Sequence, residues 1–356
     1  MESVSALKVG CGKFFHGKGM ISLLASEITR LGGKALLVGG PSSIDRVMEK
    51  AQDNMDRAGV SYLTRKHTDQ CTVEWARTYA MLALDQNCTV LVGVGGGKCI
   101  DTVKCASYFC DLPIITVPTS IATCVATSMV AIMYNEKGQR APAVKLKKEI
   151  DVCIADEDLI ATAPPRTLAA GILDSMAKMP ESHHLKQVSS YRDCALVEYI
   201  QILNSQCIFD FLMGEGRDLY QNGGNAKRFT DVILTNLLHT SIVSGFADGS
   251  GQLAIAHAIY DFMRNYNTQE SAPYLHGEIV AVGLLVQMAF NGMQDKKICE
   301  TRELMAFMNM PLRLKDIGYD CSQEKIDLLA KVVSENSNLS GTEHLDRLRR
   351  ALDQVC

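Results

Sequence analysis

The sequence predicts an α/β domain over residues 1–160, followed by an all-α domain over residues 161–356. Three observations support this fold class. Short apolar runs alternate with amphipathic stretches in the first half, which is typical of a parallel sheet with helices between its strands. Long apolar helical segments without strand signals fill the second half. A length of 356 residues (39.0 kDa) also suits two domains better than a single core.

The first half follows this alternation element by element. Apolar runs, several of them closed by glycine or proline, predict strands at residues 34–38, 60–63, 89–94, 113–117 and 129–133. The stretches between them predict helices at residues 43–58, 72–86 and 98–110. The run at 89–94 is apolar apart from its first residue and a glycine, as a buried parallel strand usually is. These elements together predict a mostly parallel sheet.

The second half is predicted to be helical. Its segments rich in Leu, Ala, Ile and Met predict helices at residues 166–186, 194–212, 229–246 and 276–292, with shorter ones towards the C-terminus. Pro165 suits the first turn of a helix, where its missing N–H costs nothing. The change of character near Asp156 places the domain boundary around residue 160. The sequence contains no internal repeat.

Composition excludes several functional classes. The 36 basic and 40 acidic side chains give a formal charge of −4, and no long basic run occurs. A dedicated nucleic-acid or anionic-membrane surface is therefore not expected. The N-terminus lacks a basic cluster followed by an apolar core, and no stretch of eighteen apolar residues follows, so we predict a cytoplasmic protein with no membrane partner.

The thirteen cysteines are interpreted as reduced thiols. Their number is odd and their spacing never gives a CxxC pair, which argues against both a disulfide framework and a cysteine-rich metal site. Free cysteine behaves as a small apolar residue, so most of these thiols are expected to be buried.

A glycine-rich turn is the most informative segment of the first half. Gly95, Gly96 and Gly97 follow a buried strand and precede a helix. Glycine lets backbone N–H groups approach a phosphate, and a helix N-terminus favours an anion. The spacing is neither GxGxxG nor that of a P-loop, so a tight packing turn is an equal alternative. The polar residues 116–123 follow the next strand, and ligands of open α/β sheets bind at such carboxyl ends.

Three ionisable residues lie in unusually apolar segments of the second half. Asp174 lies in GILDSMAK, His257 in AIAHAIY and His276 in YLHGEIV. Each residue alone is more simply explained as a buried polar group with a hydrogen-bonding partner. Burying an isolated carboxylate, however, has a high free-energy cost. Two imidazoles and one carboxylate from separate helices are the ligand set of a catalytic Zn²⁺ or Fe²⁺ site. His183 and His184 lie at a polar helix end, and their role stays open.

Five short motifs occur in order along the chain. They are GGGKxxDxxK at residues 95–104, VPTSIAT at 117–123, GILD at 171–174 with Lys178 and Glu181, AHA at 256–258, and HGE at 276–278. In this order they resemble the iron-containing alcohol dehydrogenase superfamily, nearest its glycerol dehydrogenase branch, from about residue 7 to residue 350. The resemblance implies a dehydroquinate synthase-like fold, with a nucleotide-binding domain, a helical domain and a deep cleft between them.

The resemblance also implies binding residues for a nicotinamide dinucleotide. Its pyrophosphate would lie on the glycine turn and Lys98, with Asp101 beside them. Further cofactor contacts are implied at Thr116, Thr119, Ser128, Val130 and Tyr134.

The same resemblance assigns the metal ligands to Asp174, His257 and His276. Relatives with four ligands have another histidine one helical turn after the aspartate, where this chain has Lys178. That difference agrees with the three-ligand glycerol dehydrogenase branch, in which zinc is the usual metal. We therefore predict zinc rather than iron.

Two departures from the family pattern bear on specificity. Glycerol dehydrogenases have an aspartate in the substrate pocket directly after VPTxxxT, whereas this chain has Cys124. Loss of that acceptor removes about 1.5–3 kcal/mol of hydrogen bonding to substrate hydroxyls. NAD-preferring relatives also have an acidic residue after the first strand of the βα pattern, whereas this chain has Gly39 and Gly40 followed by Pro41 and two serines. The absence of a carboxylate at Gly40 favours NADP(H), although the segment also suits a simple turn and helix cap.

The sequence therefore predicts a metal-dependent NAD(P)(H) oxidoreductase that interconverts a small alcohol or polyol and its carbonyl compound. Cys124 is expected to line the substrate pocket. An alternative is a hydroxycarboxylate dehydrogenase that reduces 2-oxo acids, since an uncharged pocket does not repel a carboxylate. A carbocycle-forming lyase resembling dehydroquinate synthase is disfavoured because few basic residues lie near the motifs of the helical half. Apolar C-terminal helices predict a homo-oligomer.

Overall fold

The computed structural model describes residues 10–246 and 254–356. Their contacts form two compact units. The first contains the chain up to Pro164 and a later segment that begins at Gly223, and the second contains Pro165–Asn222 and Ser250–Cys356. The predicted fold class is confirmed, because the first unit is built on a parallel sheet and the second is helical. The division into domains at residue 160 stays a prediction.

The first unit contains all the strands of the described chain. They are β1 (Cys11–Gly17), β2 (Lys34–Gly39), β3 (Ser61–Lys66), β4 (Val90–Gly95), β5 (Ile114–Pro118), β6 (Val130–Ala131), β7 (Val144–Lys145) and β8 (Ile150–Asp156). Six of them form a parallel sheet in the order β1-β8-β5-β4-β2-β3, and β6 pairs with β7 as a separate antiparallel ladder.

Fifteen α-helices occur in the described residues. They are α1 (Leu24–Arg30), α2 (Pro41–Arg57), α3 (Val73–Asp85), α4 (Gly97–Cys110), α5 (Glu157–Ile160), α6 (Pro165–Ser182), α7 (Leu196–Asn222), α8 (Phe229–Leu234), α9 (Thr240–Phe246), α10 (Ile255–Tyr266), α11 (Thr268–Ser271), α12 (His276–Phe290), α13 (Asp295–Phe307), α14 (Gln323–Asn336) and α15 (Thr342–Asp353). Thr235–His239 forms a π-helical segment between α8 and α9, within the single helix predicted over 229–246.

Two apolar clusters cover the faces of the main sheet. One contains side chains of α1 and α2, and the other contains side chains of α3 and α4. Every residue of β4 and β5 is buried as a result. This explains why these strands are apolar runs rather than alternating patterns.

The strand order reverses between β2 and β4. The chain leaves β2 for the edge strand β3 and then returns to β4 on the other side of β2. Ligands of doubly wound sheets bind beside the carboxyl ends of the strands at such a reversal. The close approach of these strands requires glycine at position 39, because a Cβ there would lie 2.2 Å from the Val94 carbonyl oxygen.

The predicted strands at 34–38, 60–63, 89–94 and 113–117 correspond to β2–β5. The strand predicted at 129–133 is wrong in extent, because only Val130–Ala131 is paired, and it lies outside the main sheet. Strands β1 and β8 were not predicted. β8 has an aspartate at each end of its apolar centre, and Asp156 caps α5 and accepts a 2.8 Å hydrogen bond from the Ile21 N–H.

The second unit packs around α12. This helix is buried along nearly its whole length and contacts α6 and α10 on neighbouring sides. The helices that carry Asp174, His257 and His276 are therefore direct neighbours. Within the described ranges, no helix combines the length and apolar character needed to cross a membrane.

Candidate functional site

Asp174, His257 and His276 converge in the second unit. Their ligand atoms all lie within 4.8 Å of one another. The Asp174 Oδ1 is 3.2 Å from the His276 Nε2 and 3.4 Å from the His257 Nε2. Two ligands bound at about 2.0–2.1 Å to one tetrahedral ion lie about 3.3–3.4 Å apart. The three side chains thus fit one small divalent metal, while their role as ligands stays a prediction.

Two glycines of α12 allow this convergence. A Cβ at Gly277 would lie 2.0 Å from the Ala170 carbonyl oxygen of α6, and a Cβ at Gly283 would lie 2.7 Å from Ala256 of α10. The backbones of α6 and α10 therefore contact α12 directly. His276 begins α12 beside this contact, which places its imidazole next to Asp174.

Glu181 orients His257. The Glu181 Oε1 accepts hydrogen bonds from the His257 Nδ1 at 2.6 Å and from the His257 backbone N–H at 3.1 Å. One buried oxygen therefore fixes both the imidazole ring and the first turn of α10. A carboxylate on one ring nitrogen directs the other nitrogen towards a metal and increases its basicity. Glu181 lies on the same helix as Asp174, two turns later.

A second carboxylate holds the start of α12. The Glu278 Oε2 accepts a 2.7 Å hydrogen bond from the Leu275 N–H, and both Glu278 oxygens accept from the Arg166 guanidinium of α6. The first turn that contains His276 is thus tied to α6 by a bidentate ion pair, a geometry that gives orientation as well as energy. Both histidine-bearing helices are anchored on the helix that carries Asp174.

Lys178 lies next to the cluster. Its Nζ is 3.4 Å from the His257 Nε2, and the residue is almost fully buried. It occupies the helical position one turn after Asp174, as expected from the sequence. This position therefore carries an ammonium group, which cannot bind a metal while it is protonated.

The electrostatics keep the carboxylate ionised. Although burial favours the neutral acid, His276 and the hydrogen bonds from both imidazoles hold the pKa of Asp174 well below its usual range. Burial opposes the charge on His257, but Glu181 outweighs it and the pKa of His257 is raised to about 9. Burial lowers the pKa of His276. The Asp174 carboxylate and the neutral His276 imidazole are in the form that binds a metal, whereas His257 would have to release its Nε2 proton to bind one.

His183 and His184 lie outside this cluster. The His183 Nδ1 is 3.0 Å from the Met179 carbonyl oxygen, one turn back on α6. The His184 Nε2 is 2.8 Å from the Ser337 carbonyl oxygen, and burial lowers the pKa of His184. Both rings have structural partners of their own.

The glycine turn lies at the strand reversal of the first unit. Gly95 ends β4 with a φ of 128°. Gly97 begins α4, and no side chain caps the N-terminus of this helix. The Thr119 N–H donates to the Gly95 carbonyl at 3.0 Å, and the Thr119 and Ser43 hydroxyls are 3.0 Å apart. Backbone N–H groups and hydroxyls thus surround one helix N-terminus, which is suitable for binding a phosphate.

The other predicted cofactor residues have different surroundings. Gly40 directly precedes α2, and Lys98 is exposed beside the turn. Thr116 is buried and donates to the Ala126 carbonyl at 2.7 Å, and the Tyr134 N–H donates to the Cys71 carbonyl. The buried Lys104 ammonium donates hydrogen bonds to three more of the predicted cofactor residues, which are Asp101, Ser128 and Val130. Cys124 is half-buried in the segment that follows Thr123.

Sequence reasoning gave no individual role to several residues that hold these sites in place, although three of them lie in the quoted motifs: Lys104, Arg166, Glu181 and Glu278. Helical spacing is the sequence signal that links two of these residues to predicted site residues. Glu181 is seven residues after Asp174, and Lys104 is three residues after Asp101. In each case the two residues share a helix face.

Comparisons with known proteins agree with these features. A family model described as iron-containing alcohol dehydrogenase matches residues 11–157. A glycerol dehydrogenase from Thermotoga maritima is 27% identical over 338 residues, covering 94% of this chain and 90% of the relative. Hydroxycarboxylate dehydrogenase A from Escherichia coli is 30% identical over 243 residues, covering 67% of this chain and 66% of the relative.

Solved structures show the same fold. The crystal structure of glycerol dehydrogenase from Schizosaccharomyces pombe has a TM-score of 0.83 and 20% identity, covering 99% of this chain and 92% of that one. Fold and site together define an enzyme scaffold that has a glycine turn at a strand reversal in its first unit and a His₂Asp cluster in its second. The chain belongs to the iron-containing alcohol dehydrogenase superfamily, and it is similar to the glycerol dehydrogenases of that superfamily.

Proposed function

We propose that the protein is a metal-dependent NAD(P)(H) oxidoreductase that interconverts a small alcohol or polyol and its carbonyl compound. The observation that carries this proposal is the cluster of Asp174, His257 and His276 in a chain of the alcohol dehydrogenase superfamily. Membership implies a nicotinamide dinucleotide and a divalent metal. Several glycerol dehydrogenases are among the relatives, which supports a polyol substrate.

The metal would be held by the Asp174 carboxylate and the Nε2 atoms of His257 and His276. When bound, such an ion acts as a Lewis acid that favours alkoxide over alcohol and polarises a carbonyl. Glu181 keeps a proton on the His257 Nδ1, so that the Nε2 would be the nitrogen offered to the metal once its own proton is released. Zinc and iron(II) both bind two imidazoles and one carboxylate, and we favour zinc because Lys178 matches the three-ligand glycerol dehydrogenase branch that the sequence resembles.

The glycine turn would bind the dinucleotide pyrophosphate. The residues for this role are Gly95, Gly96, Gly97 and the N-terminus of α4, with Lys98 adding a nearby positive charge. The hydroxyls of Ser43 and Thr119 flank the turn. These groups neutralise and orient a phosphate without contacting the reacting atoms.

We favour NADP(H) over NAD(H). Neither Gly39, which ends β2, nor Gly40, which precedes α2, carries a carboxylate, and Lys66 of β3 pairs in register with Gly39. The nearest acid along the chain, Asp45, is already in a 2.8 Å ion pair with Lys66. The charge of Asp45 is therefore partly neutralised, which weakens its repulsion of a 2′-phosphate at the end of β2.

A 2-oxo acid is the second candidate substrate. Cys124 replaces the pocket aspartate of glycerol dehydrogenases, and a relative named hydroxycarboxylate dehydrogenase A is 30% identical. An uncharged thiol neither binds polyol hydroxyls strongly nor repels a carboxylate. Position 124 is therefore the residue at which we test the choice between a polyol and a 2-oxo acid.

The assay that decides between them measures NAD(P)H absorbance with glycerol, dihydroxyacetone, aldehydes and 2-oxo acids. We expect net consumption of the reduced cofactor with a small carbonyl compound. A lyase would leave the cofactor level unchanged at steady state, and this result would contradict the proposal. Cys124→Asp should raise kcat/KM for polyols about tenfold, by restoring a charged hydrogen-bond acceptor. Cys124→Asn is the uncharged control, and equal effects of both variants would exclude this role of the charge.

We also propose a cytoplasmic homo-oligomer. The exposed side chains of Leu196 and Leu203 lie seven residues apart on α7, a spacing suited to helix packing. Light scattering on the purified protein tests this part of the proposal, since a strictly monomeric mass would contradict it.

A further inference from the structure

The side chain of Lys104 is fully buried. Its ammonium nitrogen is 2.9 Å from the Asp101 Oδ1, 2.6 Å from the Val130 carbonyl oxygen and 3.0 Å from the Ser128 hydroxyl. A fourth acceptor, the Val125 carbonyl oxygen, lies 3.0 Å from the same nitrogen. Burying an ammonium group is costly unless its protons are all satisfied, and these four acceptors satisfy them.

The partner Asp101 contacts the same segment. Besides Lys104, its carboxylate accepts a hydrogen bond from the Ile132 backbone N–H. The carbonyl of one strand residue and the N–H two residues later point to the same side of a strand. The Lys104 ammonium bonds to the Val130 carbonyl, and the Asp101 carboxylate bonds to the Ile132 N–H. Together they make the two backbone contacts that one residue of a neighbouring parallel strand would make. The other side of β6 pairs with β7.

This ion pair links the glycine turn to residues 119–132, which follow β5 and include β6. Helix α4, which carries both charges, begins directly after the glycine turn. The segment begins at Thr119, whose N–H bonds to Gly95, and Ser120 lies close to Gly96. One end of the segment is therefore fixed by the turn and the other end by Lys104 of the helix.

We propose that the Asp101–Lys104 ion pair positions residues 119–132 for dinucleotide binding. This inference rests on the proposed function. Asp101 and Lys104 are positioning residues: they set the place of the hydroxyl and backbone groups beside the turn. An apolar pair of the same size would fill the space but would leave the polar groups of Val125, Ser128, Val130 and Ile132 without these partners.

The experiment compares wild-type protein with Asp101→Asn/Lys104→Met. The double variant avoids a lone buried charge, which Lys104→Met alone would create. The asparagine introduced at position 101 is uncharged, and its amide oxygen can still accept from the Ile132 N–H, so the change isolates the contacts of the ammonium. We expect the dissociation constant for the dinucleotide to rise about tenfold or more, which corresponds to about 1.4 kcal/mol. The metal content should not change, since the metal cluster lies in the second unit.

Glu27→Gln is the matched control. Glu27 is a buried carboxylate of the same unit. It forms ion pairs with Lys13 and Arg30, neither of which belongs to the glycine turn. Its loss should lower stability without changing dinucleotide affinity. Equal weakening of dinucleotide binding in Glu27→Gln and the double variant would mean a general stability effect, and would overturn the proposal.

Hydrogen exchange provides a readout that needs no ligand. In wild-type protein without dinucleotide, the Ile132 amide should exchange slowly, and residues 125–132 should exchange faster in the double variant. Rapid exchange of Ile132 in wild-type protein would overturn the proposal even if the variant fails to fold. Wild-type affinity and exchange in a folded double variant would also overturn it. Failure of wild-type protein to bind either dinucleotide would instead contradict the proposed function.

Discussion

His257 is held by one oxygen atom of Glu181, which bonds to both its ring and its backbone. Asp174 and Glu181 are both on α6, so one rigid helix carries the candidate ligand Asp174 and the carboxylate that holds His257. This relation makes Glu181 the most testable residue of the metal cluster after the ligands themselves.

Substitution of Glu181 should weaken metal binding. Glu181→Ala removes the oxygen that accepts both hydrogen bonds, and we expect metal affinity to fall about 10–100-fold, as for other carboxylate supports of metal-bound histidines. Glu181→Gln retains an acceptor and should lose less. Competition with a chromophoric chelator measures both values. Wild-type affinity in both variants would show that Glu181 does not support the site.

Gly40 determines the predicted preference for NADP(H). Its φ of −59° is accessible to any residue, and a Cβ there would meet nothing closer than 3.7 Å. Gly40→Asp should therefore fold and raise KM for NADP(H) relative to NAD(H) about tenfold, because a carboxylate opposes the 2′-phosphate. Gly40→Asn has the same shape without the charge. A similar shift in both variants would contradict the electrostatic explanation.

The candidate ligands could be predicted from the sequence because acids and imidazoles in apolar helices are conspicuous. The supporting residues could not be assigned in this way. Arg166 and Glu278 are 112 residues apart, and their ion pair depends on how α6 and α12 pack. Lys104 resembles an ordinary helix lysine until its burial is known. Long-range packing thus determines which polar residues support a site.

At the scale of elements, the approach of α12 to α6 brings the cluster together. Gly277→Ala would place a Cβ 2.0 Å from the Ala170 carbonyl oxygen, so the helices must separate. We expect a loss of about 1–3 kcal/mol in stability from this overpacking, together with weaker metal binding. Chemical denaturation and metal titration measure the two effects.

Gly214→Ala is the control for this substitution. Gly214 lies within α7, and a Cβ there meets nothing within 4 Å. Alanine should stabilise this helix by about 0.5–1 kcal/mol. A Gly277→Ala protein as stable as wild type, with unchanged metal affinity, would contradict the role given to this helix contact.

Element prediction succeeded where burial made a strand uniformly apolar, as in β2, β4 and β5. It failed at the edge strand β1, whose residues are half-exposed and mixed in character. It also overestimated β6, since residues 129–133 are apolar through burial and their polar backbone groups bond to Lys104 as well as to β7. An apolar run indicates burial, and strand pairing requires a partner that sequence alone does not specify.

At the scale of the whole molecule, each unit carries one candidate site. The glycine turn lies in the first unit and the His₂Asp cluster in the second. The helical segment after Gly223 belongs to the first unit although its sequence resembles the second half. Its place follows from long-range hydrogen bonds, such as those of Thr230 to Glu157 and of Asn236 to the Ile121 carbonyl.

Metal content measured together with turnover and dinucleotide affinity tests the central claim most directly. Wild-type protein should hold one divalent ion per chain, and chelation or His276→Ala should remove the ion. Turnover should then fall below about 1% of the wild-type value, since several kcal/mol of charge stabilisation are lost. The dinucleotide should still bind. Full turnover after complete removal of the metal, or a bound ion retained by His276→Ala at wild-type affinity, would contradict the account.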